Sequence, residues 1–248
     1  MNCIGQLIIT QQACNDSFAW ARELLPTVSD GTVLIARHLT AARGRQGRSW
    51  ILAEGQITHT IILKPFMNTN EQALATLNMA LTLGLREPFQ QFGVTLKWPN
   101  DLYLNDKKLG GMLFENLWHN NKLVGIIFAY SININNSCLN HNMLKSIATS
   151  LADATGTQHD LGQLQVELFA SLSKFYEQWK LGQFQDIFQL WRRQQGYLGK
   201  QVMVHNKDGS LLEGIAQDVL PNGDLVLNVV GADRTVVVTF AQVEEVKI

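Results

Sequence analysis

Alternating apolar and polar residues, rich in β-branched side chains, predict the strands of the first half of the chain. Such runs occur at residues 6–10, 32–36 and 58–63, and each has the period of a half-buried strand. Further strands are predicted at residues 94–97, 107–115 and 123–133. The turn at 104–107 carries Asn-Asp, which favours a hairpin. We therefore expect a mixed or mostly antiparallel sheet.

Apolar positions at helical spacing predict the helices. A first helix lies between the first two strands, where Asp16 or Ser17 is suited to cap it and Pro26 to end it. A longer helix is expected from Glu71 to about residue 91, with its last part broken at Pro88. Further helical segments are expected at about residues 143–154, 164–179 and 184–193.

The pattern changes at about residue 200 to short alternating strands separated by turns at 208–209, 222–223 and 231. This spacing is typical of a small β-barrel. A segment of about 50 residues buries little surface alone, so it should pack against the rest of the chain. We predict an α+β main domain over residues 1–197 and an SH3-like β-barrel over residues 198–248.

Composition and charge exclude several classes of protein. The chain has 248 residues, of which 46% are apolar, enough for a sizeable core. A formal net charge of -1 gives no long-range attraction to nucleic acid or to a membrane. Cys3, Cys14 and Cys138 lack the paired spacing of a zinc or disulfide site. Without a recognisable leader or a long apolar run, we expect a cytoplasmic protein.

The segment Arg43-Gly44-Arg45-Gln46-Gly47-Arg48-Ser49-Trp50 is the first cluster with chemical potential. Glycine lets backbone N–H groups approach an anion, and guanidinium groups bind phosphate or carboxylate through two hydrogen bonds. Trp50 is suited to lie against a flat ligand. An exposed basic turn or an RNA-binding arginine–glycine segment has the same composition, and these readings stay open at this point.

Two further clusters follow along the chain. Lys97-Trp98-Pro99-Asn100-Asp101 joins two predicted strands and offers polar groups for a ribose, a phosphate-bound Mg²⁺ or an arginine. Lys107-Lys108-Leu109-Gly110-Gly111 is a strand whose paired glycines permit close approach of a ligand beside a lysine. Taken singly, the first of these clusters could equally be a plain turn, and the second a bulged edge strand with solvated lysines.

In this order the three clusters resemble the biotin protein ligases, whose pattern is a Gly-Arg-Gly-Arg-x-Gly-Arg-x-Trp loop, then Lys-Trp-Pro-Asn-Asp, then Lys-Leu-x-Gly. Residues 198–200, 213–216 and 222–225 are similar to the last domain of that family. The resemblance covers nearly the whole chain. It implies the biotin/lipoate ligase fold and the form of the enzyme without an N-terminal DNA-binding domain.

The resemblance also implies the reaction. Biotin and ATP, with Mg²⁺, would give biotinyl-5′-AMP and pyrophosphate, and the biotinyl group would pass to a lysine of a biotin carboxyl carrier protein. The expected partner is the carrier domain of acetyl-CoA carboxylase, with neither nucleic acid nor membrane involved. Members of the family often pair through the sheet, so a homodimer is a further expectation.

Site roles carry over residue by residue. The catalytic residues would be Lys108, Arg45 and Arg48. Biotin would be bound by Ala13, Cys14, Asn15, Leu39, Arg43, Gly44, Arg45, Lys108 and Gly111. ATP would be contacted by Arg48, Trp50, Lys97, Asn100, Asp101 and Asn133. Asp101 is the candidate ligand for Mg²⁺.

The chain departs from the family pattern on the acyl-ligand side. Ala13-Cys14-Asn15 stands where Ser-Thr-Asn is usual, although another register would put Asp16-Ser17 there. Leu39 replaces a glutamine, and Ser131 replaces the second glycine of Gly-x-Gly-Ile-Asn. A lost hydrogen bond to a buried polar group costs about 1–3 kcal/mol. A ligase for another acid such as lipoate or octanoate, and a non-catalytic carrier-binding relative, therefore stay open as alternatives.

Overall fold

The computed structural model describes most of the chain. The described residues are 3–42, 44, 47–48, 50–64, 69–232, 234–239 and 241–247. Within them lie two sheets and five α-helices. No helix among the described residues is both long enough and apolar enough to cross a membrane.

The larger sheet has seven described strands, in the order β1-β2-β3-β7-β6-β5-β4. Their bounds are β1 (Ile8–Cys14), β2 (Thr32–Leu39), β3 (Gln56–Leu63), β4 (Thr95–Lys97), β5 (Asp101–Leu104), β6 (Lys107–His119) and β7 (Lys122–Asn133). β1 pairs with β2 in parallel and the other pairs are antiparallel. The prediction of a mixed sheet is confirmed. Positive φ angles at Asn105 and Asp106 also confirm the hairpin between β5 and β6.

The helices are α1 (Ser17–Leu24), α2 (Glu71–Arg86), α3 (Leu151–Thr155), α4 (Leu161–Lys180) and α5 (Phe184–Arg193). Asp16 caps α1, since its Oδ1 accepts hydrogen bonds from the backbone N–H groups of Phe18 and Ala19. α2 ends where expected, and Pro88 lies in the 3-10 helix Glu87–Phe92 that follows.

The helix predicted over residues 143–154 is wrong in its first half. Residues 137–148 form turns, and α3 begins only after Ser150, whose Oγ accepts a hydrogen bond from Asp153 N at 3.0 Å. Directly before α3, the backbone of residues 147 and 149 bonds to Lys108, and Ala148 forms a β-bridge with it. Tertiary pairing has overridden the local helical pattern there.

α2 and α4 pack on one face of the larger sheet, with α5 against α2. Gly84 allows the closest approach, since a Cβ at this position would lie 2.9 Å from Leu172 Cα. Trp179 is fully buried in α4, and its Nε1 donates to Ala73 O at 2.7 Å. This side of the sheet carries the larger hydrophobic cluster. α1 covers part of the other side, where Phe18, Leu34 and Ile62 belong to a second, smaller cluster.

Among the described residues, His59 is the histidine whose pKa is strongly shifted. This shift makes the stability of the fold depend on pH. Its Nδ1 lies 2.9 Å from Tyr130 Oη, and burial lowers its pKa from 6.5 to about 4. As the pH falls below 6.5 the unfolded chain binds the proton first, so stability should fall until about pH 4. The loss is roughly 3 kcal/mol from this residue.

Urea unfolding of the wild type and of His59→Gln across this pH range checks the prediction. The variant should lose markedly less stability on acidification, because groups other than His59 titrate alike in both proteins. His119→Gln, an exposed position, is the matched control. Parallel pH profiles for the wild type and His59→Gln would contradict the assignment.

The C-terminal sheet consists of β8 (Gln201–Asn206), β9 (Leu211–Val219), β10 (Leu225–Val229), β11 (Thr235–Val238) and β12 (Val243–Lys247). Its described strands are antiparallel in the order β11-β10-β9-β8-β12 and curl into a half-barrel. The predicted small β structure is therefore confirmed, whereas the boundary at residue 198 stays a prediction. Trp98 Nε1 donates to Gly223 O at 2.7 Å and so ties the larger sheet to this one.

Candidate functional site

A cavity of about 590 Å³ lies on the face of the larger sheet opposite to α2 and α4. This volume is in the range of small-molecule sites. Three segments surround it. The first is the segment of residues 43–50, called the arginine loop below, through Gly44, Arg48 and Trp50; the others are residues 144–148 and the last strand, β12. Every one of the three sequence clusters contributes to its wall.

A row of residues directly opposite one another on adjacent strands forms the floor of the cavity. The pairs are Thr58 with Ser131, Ser131 with Gly111, Gly111 with Asp101, and Asp101 with Lys97. Such cross-strand neighbours share one face of a sheet. The floor therefore runs from hydroxyl groups at β3 to charged groups at β5 and β4.

A β-bulge brings Lys108 onto this face. Leu102 pairs with Gly110 and Tyr103 with Lys108, so Leu109 is the extra residue on β6. In a regular strand Lys108 and Gly111 would point to opposite faces, whereas a one-residue bulge places both on the same face. The backbone of Lys108 also bonds to residues 147 and 149, which fixes the strand beside the bulge.

Lys108 is paired with Asp101 inside the cavity. Its Nζ lies 2.6 Å from Asp101 Oδ1, and the two side chains are 32% and 18% exposed. The ammonium also lies 5.3 Å from the centre of the Trp50 ring, within cation–π range. A cation held this way is available to an anionic ligand that displaces the carboxylate.

Gly111 provides the space for this ion pair. A Cβ at Gly111 would lie 3.1 Å from Asp101 Oδ1 and 3.2 Å from Lys108 Nζ. We expect Gly111→Ala to shift the ion pair and to reduce the rate of the reaction proposed below about tenfold. The melting temperature should change little, because the atoms that the new Cβ would meet belong to flexible side chains that can move aside. Steady-state kinetics and thermal unfolding measure the two effects.

Gly110→Ala is the comparison for this prediction, because its Cβ would meet Ser131 O at 2.7 Å, a backbone atom. This variant should lose stability instead. Equal turnover in the wild type and Gly111→Ala would show that the close approach has no catalytic importance.

The corner at residues 97–101 is held by hydrogen bonds to several parts of the fold. Asn100 Nδ2 donates to Met112 O, and Met112 N donates to Asn100 O. Lys97 Nζ donates to Tyr103 Oη at 2.8 Å, and the Trp98–Pro99 peptide bond is cis. These hydrogen bonds hold the corner in place, and the side chains of Lys97, Asn100 and Asp101 line the cavity.

The arginine loop is described only in part. Gly44 N donates to Arg48 O at 2.7 Å, and Trp50 N donates to Ala42 O at 3.0 Å. Arg48 Nη2 donates to Glu244 O at 2.9 Å, which links the loop to β12. Gly44, Arg48 and Trp50 line the cavity. Arg43 and Arg45 lie outside the described residues.

Asn133 lines the cavity with its amide already bonded on both sides. Oδ1 accepts from Gln56 Nε2 at 2.8 Å and from Asn136 Nδ2 at 3.2 Å, and Nδ2 donates to Thr149 O at 3.1 Å. The side chain is 3% exposed. These hydrogen bonds fix the end of β7 and join it to residue 149, next to the segment that pairs with Lys108.

The segment of residues 13–18 contributes other side chains to the cavity than the first register predicted. Asp16, Ser17 and Phe18 are among the lining residues of the described chain, and Ala13-Cys14-Asn15 is not. Ser17 and Phe18 are the first residues of α1, whose N-cap is Asp16. Ala13 and Asn15 are exposed, and burial raises the pKa of the Cys14 thiol. Leu39 lines the cavity as expected.

Four hydroxyl groups stand in the cavity wall, those of Ser17, Thr58, Thr60 and Ser131. As possible ligand contacts, sequence reasoning named Ser17 only in the alternative register and Ser131 only as a departure from the pattern, and it missed Thr58 and Thr60. The alternation in β3 puts residues 58 and 60 on one face, which was the available signal. The side of the sheet could not be read from the pattern, because His59 on the opposite face is polar too.

Comparison with known proteins connects this site to a family. The model of the Biotin/lipoate A/B protein ligase family matches residues 7–133, which is half of the chain. A Bifunctional ligase/repressor BirA of Bacillus spizizenii is 29% identical over 90% of this chain and 70% of its own length. A Biotin--[acetyl-CoA-carboxylase] ligase of Mycobacterium tuberculosis is 29% identical over 95% of this chain and 87% of its own.

Solved structures agree in fold. The biotin protein ligase of Aquifex aeolicus in complex with biotin and ATP superposes with a TM-score of 0.78 at 22% identity, covering 98% of this chain and 99% of that one. The match includes the C-terminal half-barrel. This chain belongs to the Biotin/lipoate A/B protein ligase family.

Proposed function

We propose that the chain is a biotin ligase, which makes biotinyl-5′-AMP from biotin and ATP and transfers the biotinyl group to a lysine of a carrier protein. The observation that carries the proposal is the cavity in which Lys108, Asp101 and the corner at 97–101 meet the arginine loop. The relatives named biotin ligases and the fold shared with a biotin- and ATP-bound enzyme support it.

The first step joins two anions, so positive charge must be supplied where they meet. The carboxylate of biotin attacks the α-phosphate of ATP, and pyrophosphate leaves. Lys108 is proposed to neutralise the developing charge, after the incoming anion has displaced Asp101 from its ammonium. Arg48 and Arg45 are proposed to assist from the loop. This is electrostatic catalysis by preorganised cations.

The nucleotide is proposed to lie on the charged end of the floor. Trp50, Lys97 and Asn100 would contact ATP there with Arg48 and Asp101. Asn133 would act at the end of β7, through the segment it fixes more than through its own bonded amide. On the acyl side, Leu39, Gly44 and Gly111 would contact biotin. Arg43 would join them from the part of the loop outside the described residues.

The residues fit Mg²⁺ only in its phosphate-bound form. Among the described residues no group of three or more His, Cys, Asp or Glu side chains is arranged to hold a metal ion. Mg²⁺ commonly binds through one or two carboxylates together with substrate phosphates, and Asp101 is the carboxylate we propose for this role. When bound, the ion would neutralise phosphate charge.

In the second step the amine of a carrier lysine attacks the mixed anhydride and AMP leaves. The arginine loop and β12 are already linked by Arg48 and the Glu244 carbonyl, and a closed cover here would keep water from the intermediate. The carrier domain of acetyl-CoA carboxylase is the proposed acceptor. A cytoplasmic location is also proposed, in agreement with three cysteines that are all unpaired.

A ligase for another carboxylic acid is the second candidate, favoured by Leu39, which lines the cavity without the amide that the pattern has there. Intact-mass spectrometry of a biotin carboxyl carrier domain distinguishes the two. With ATP and Mg²⁺, the carrier should gain one biotinyl group and should stay unchanged when ATP is omitted. Modification by lipoate or octanoate in place of biotin would favour the second candidate.

A further inference from the structure

A second cavity, of about 180 Å³, lies between the hairpin of β4 and β5 and the segment that leads into the C-terminal sheet. Lys97, Tyr103 and Asp106 line both cavities, whereas Tyr197 and Lys200 line only the second. The first three residues thus stand between the two spaces. The smaller volume is below the usual range of sites for organic ligands, so the second cavity suits a small ion or molecule.

Backbone hydrogen bonds hold the outer wall of this second cavity in place. The segment before Lys200 runs beside β4, where Leu96 N donates to Gln194 O at 2.9 Å and Gly196 N donates to Leu96 O at 3.0 Å. Lys200 itself is joined to β9, since its carbonyl oxygen accepts from Ala216 N at 3.0 Å. Both sheets of the fold therefore contribute to a wall with a fixed backbone.

The charges of this wall favour an anion. Among the described residues, Lys97 and Lys200 bring two ammonium groups to the cavity, and Asp106 brings one carboxylate. Asp106 is 83% exposed, and its Oδ1 lies 3.2 Å from Lys200 Nζ. An ion pair so open to solvent is weak. An anion that enters the cavity is therefore able to replace Asp106 beside Lys200.

Hydroxyl groups add neutral hydrogen-bond donors to the same wall. Thr95 and Tyr103 each contribute one. Tyr197 is 1% exposed, and within the described part of the chain its Oη has no hydrogen-bond partner. Burial raises the pKa of Tyr197, so its hydroxyl group keeps its proton. A buried donor without an acceptor is unfavourable, and an anion in the cavity would offer it one.

We propose that the second cavity binds a small phosphate anion. Lys200 and Tyr197 are the ligands that belong to this site alone, and Lys97 is shared with the first cavity. A phosphate carries several strongly accepting oxygen atoms, which matches ammonium and hydroxyl donors on different sides of a small space. Such a ligand uses both kinds of donor at once.

The anion has two possible sources. One is free inorganic phosphate. The other is the pyrophosphate released in the first step, because it leaves a cavity whose wall includes Lys97, Tyr103 and Asp106, and these residues also line the second cavity. Only the second source rests on the proposed function.

Isothermal titration of the whole chain with sodium phosphate, and separately with sodium pyrophosphate, tests the inference. The buffer contains chloride and no Mg²⁺, ATP or biotin. Lys200→Ala should raise the Kd about tenfold, because it removes a partly exposed charged donor. Tyr197→Phe should raise it about 3- to 10-fold, because it removes one neutral donor. Lys207→Ala, at an exposed lysine that lines neither cavity, is the control and should bind like the wild type.

Melting temperatures separate a lost ligand from a lost fold. Tyr197→Phe keeps the ring and removes a hydroxyl group without a partner, so its melting temperature should not fall. If it does fall, Lys200→Ala decides alone. Saturable binding of either anion that depends on Lys200 supports the inference, and the anion that binds identifies the source.

Two results would overturn the inference. One is the absence of saturable binding of both anions to the wild type. The other is the same Kd in the wild type and Lys200→Ala, which would place the anion elsewhere, as in the first cavity.

Pyrophosphate exchange by the same preparations keeps this result apart from the proposed function. Anion binding that depends on Lys200, in a protein that gives no exchange with biotin, would support the inference and contradict the ligase activity. Exchange with biotin, in a protein whose anion binding is indifferent to Lys200, would support the activity and overturn the inference.

Discussion

Lys108→Ala is expected to lower the rate of adenylate formation by about 100- to 1,000-fold, the usual loss when one strong electrostatic contact to the reacting group is removed. The ammonium is the charge that the bulge at Leu109 and the pairing with residues 147–149 direct into the cavity. Single-turnover formation of biotinyl-AMP, measured by mass spectrometry, isolates this step from transfer.

Lys107→Ala is the matched control, since it removes a neighbouring lysine of the same strand. Lys107 Nζ bonds to Lys145 O on the exterior, so the rate of adenylate formation should stay close to that of the wild type. If Lys108→Ala formed adenylate at the wild-type rate, the assignment of Lys108 would be wrong.

Asp101→Asn is expected to lower the same rate by about 10- to 100-fold, because one side chain has two proposed tasks. It holds the ammonium of Lys108 at 2.6 Å, and it is the proposed carboxylate for phosphate-bound Mg²⁺. The concentration of Mg²⁺ that gives half the maximal rate should therefore rise as well. A titration with Mg²⁺ at saturating biotin and ATP measures both effects.

Asp186→Asn removes an exposed carboxylate from α5 and serves as the control for the change in net charge. A lower rate for Asp101→Asn with an unchanged Mg²⁺ requirement would leave Asp101 with the positioning of Lys108 alone. An unchanged rate would contradict both tasks.

Most of the fold could be predicted from local patterns. The strands around 6–10, 32–36 and 58–63 are rich in β-branched and apolar residues, and that composition is visible in the residues themselves. The ends of α1 and α2 are marked by Asp16 and Pro88, which act within a few residues of their own position. Such short-range effects leave a signal in any window of the sequence.

What could not be predicted depends on distant pairing. Residues 143–148 have a helical pattern, yet 147–149 pair with Lys108, some forty residues earlier in the chain. The bulge at Leu109 has no signature beyond the glycines that follow it, although it decides that Lys108 and Gly111 share a face. Both features arise only when the sheet has assembled.

The residues of the candidate site likewise fall into those that local sequence predicts and those that only the assembled sheet brings together. Lys108, Asp101 and Trp50 were recognised because a motif carries them, and they meet in one cavity. The hydroxyls of Thr58 and Thr60 belong to no motif, Ser131 stands where a motif has glycine, and single serines and threonines are common on any strand. Their common position appears only in the assembled sheet, where Thr58 lies directly opposite Ser131 and Thr60 lies opposite Ala129.

The measurement that tests the central claim most directly is exchange of labelled pyrophosphate into ATP by the purified protein with Mg²⁺ and a single acid. Exchange that requires biotin, and that lipoate and octanoate do not support, is the result expected of a biotin-adenylating enzyme. Absence of exchange with biotin, under conditions in which the protein is folded, would contradict the proposed function.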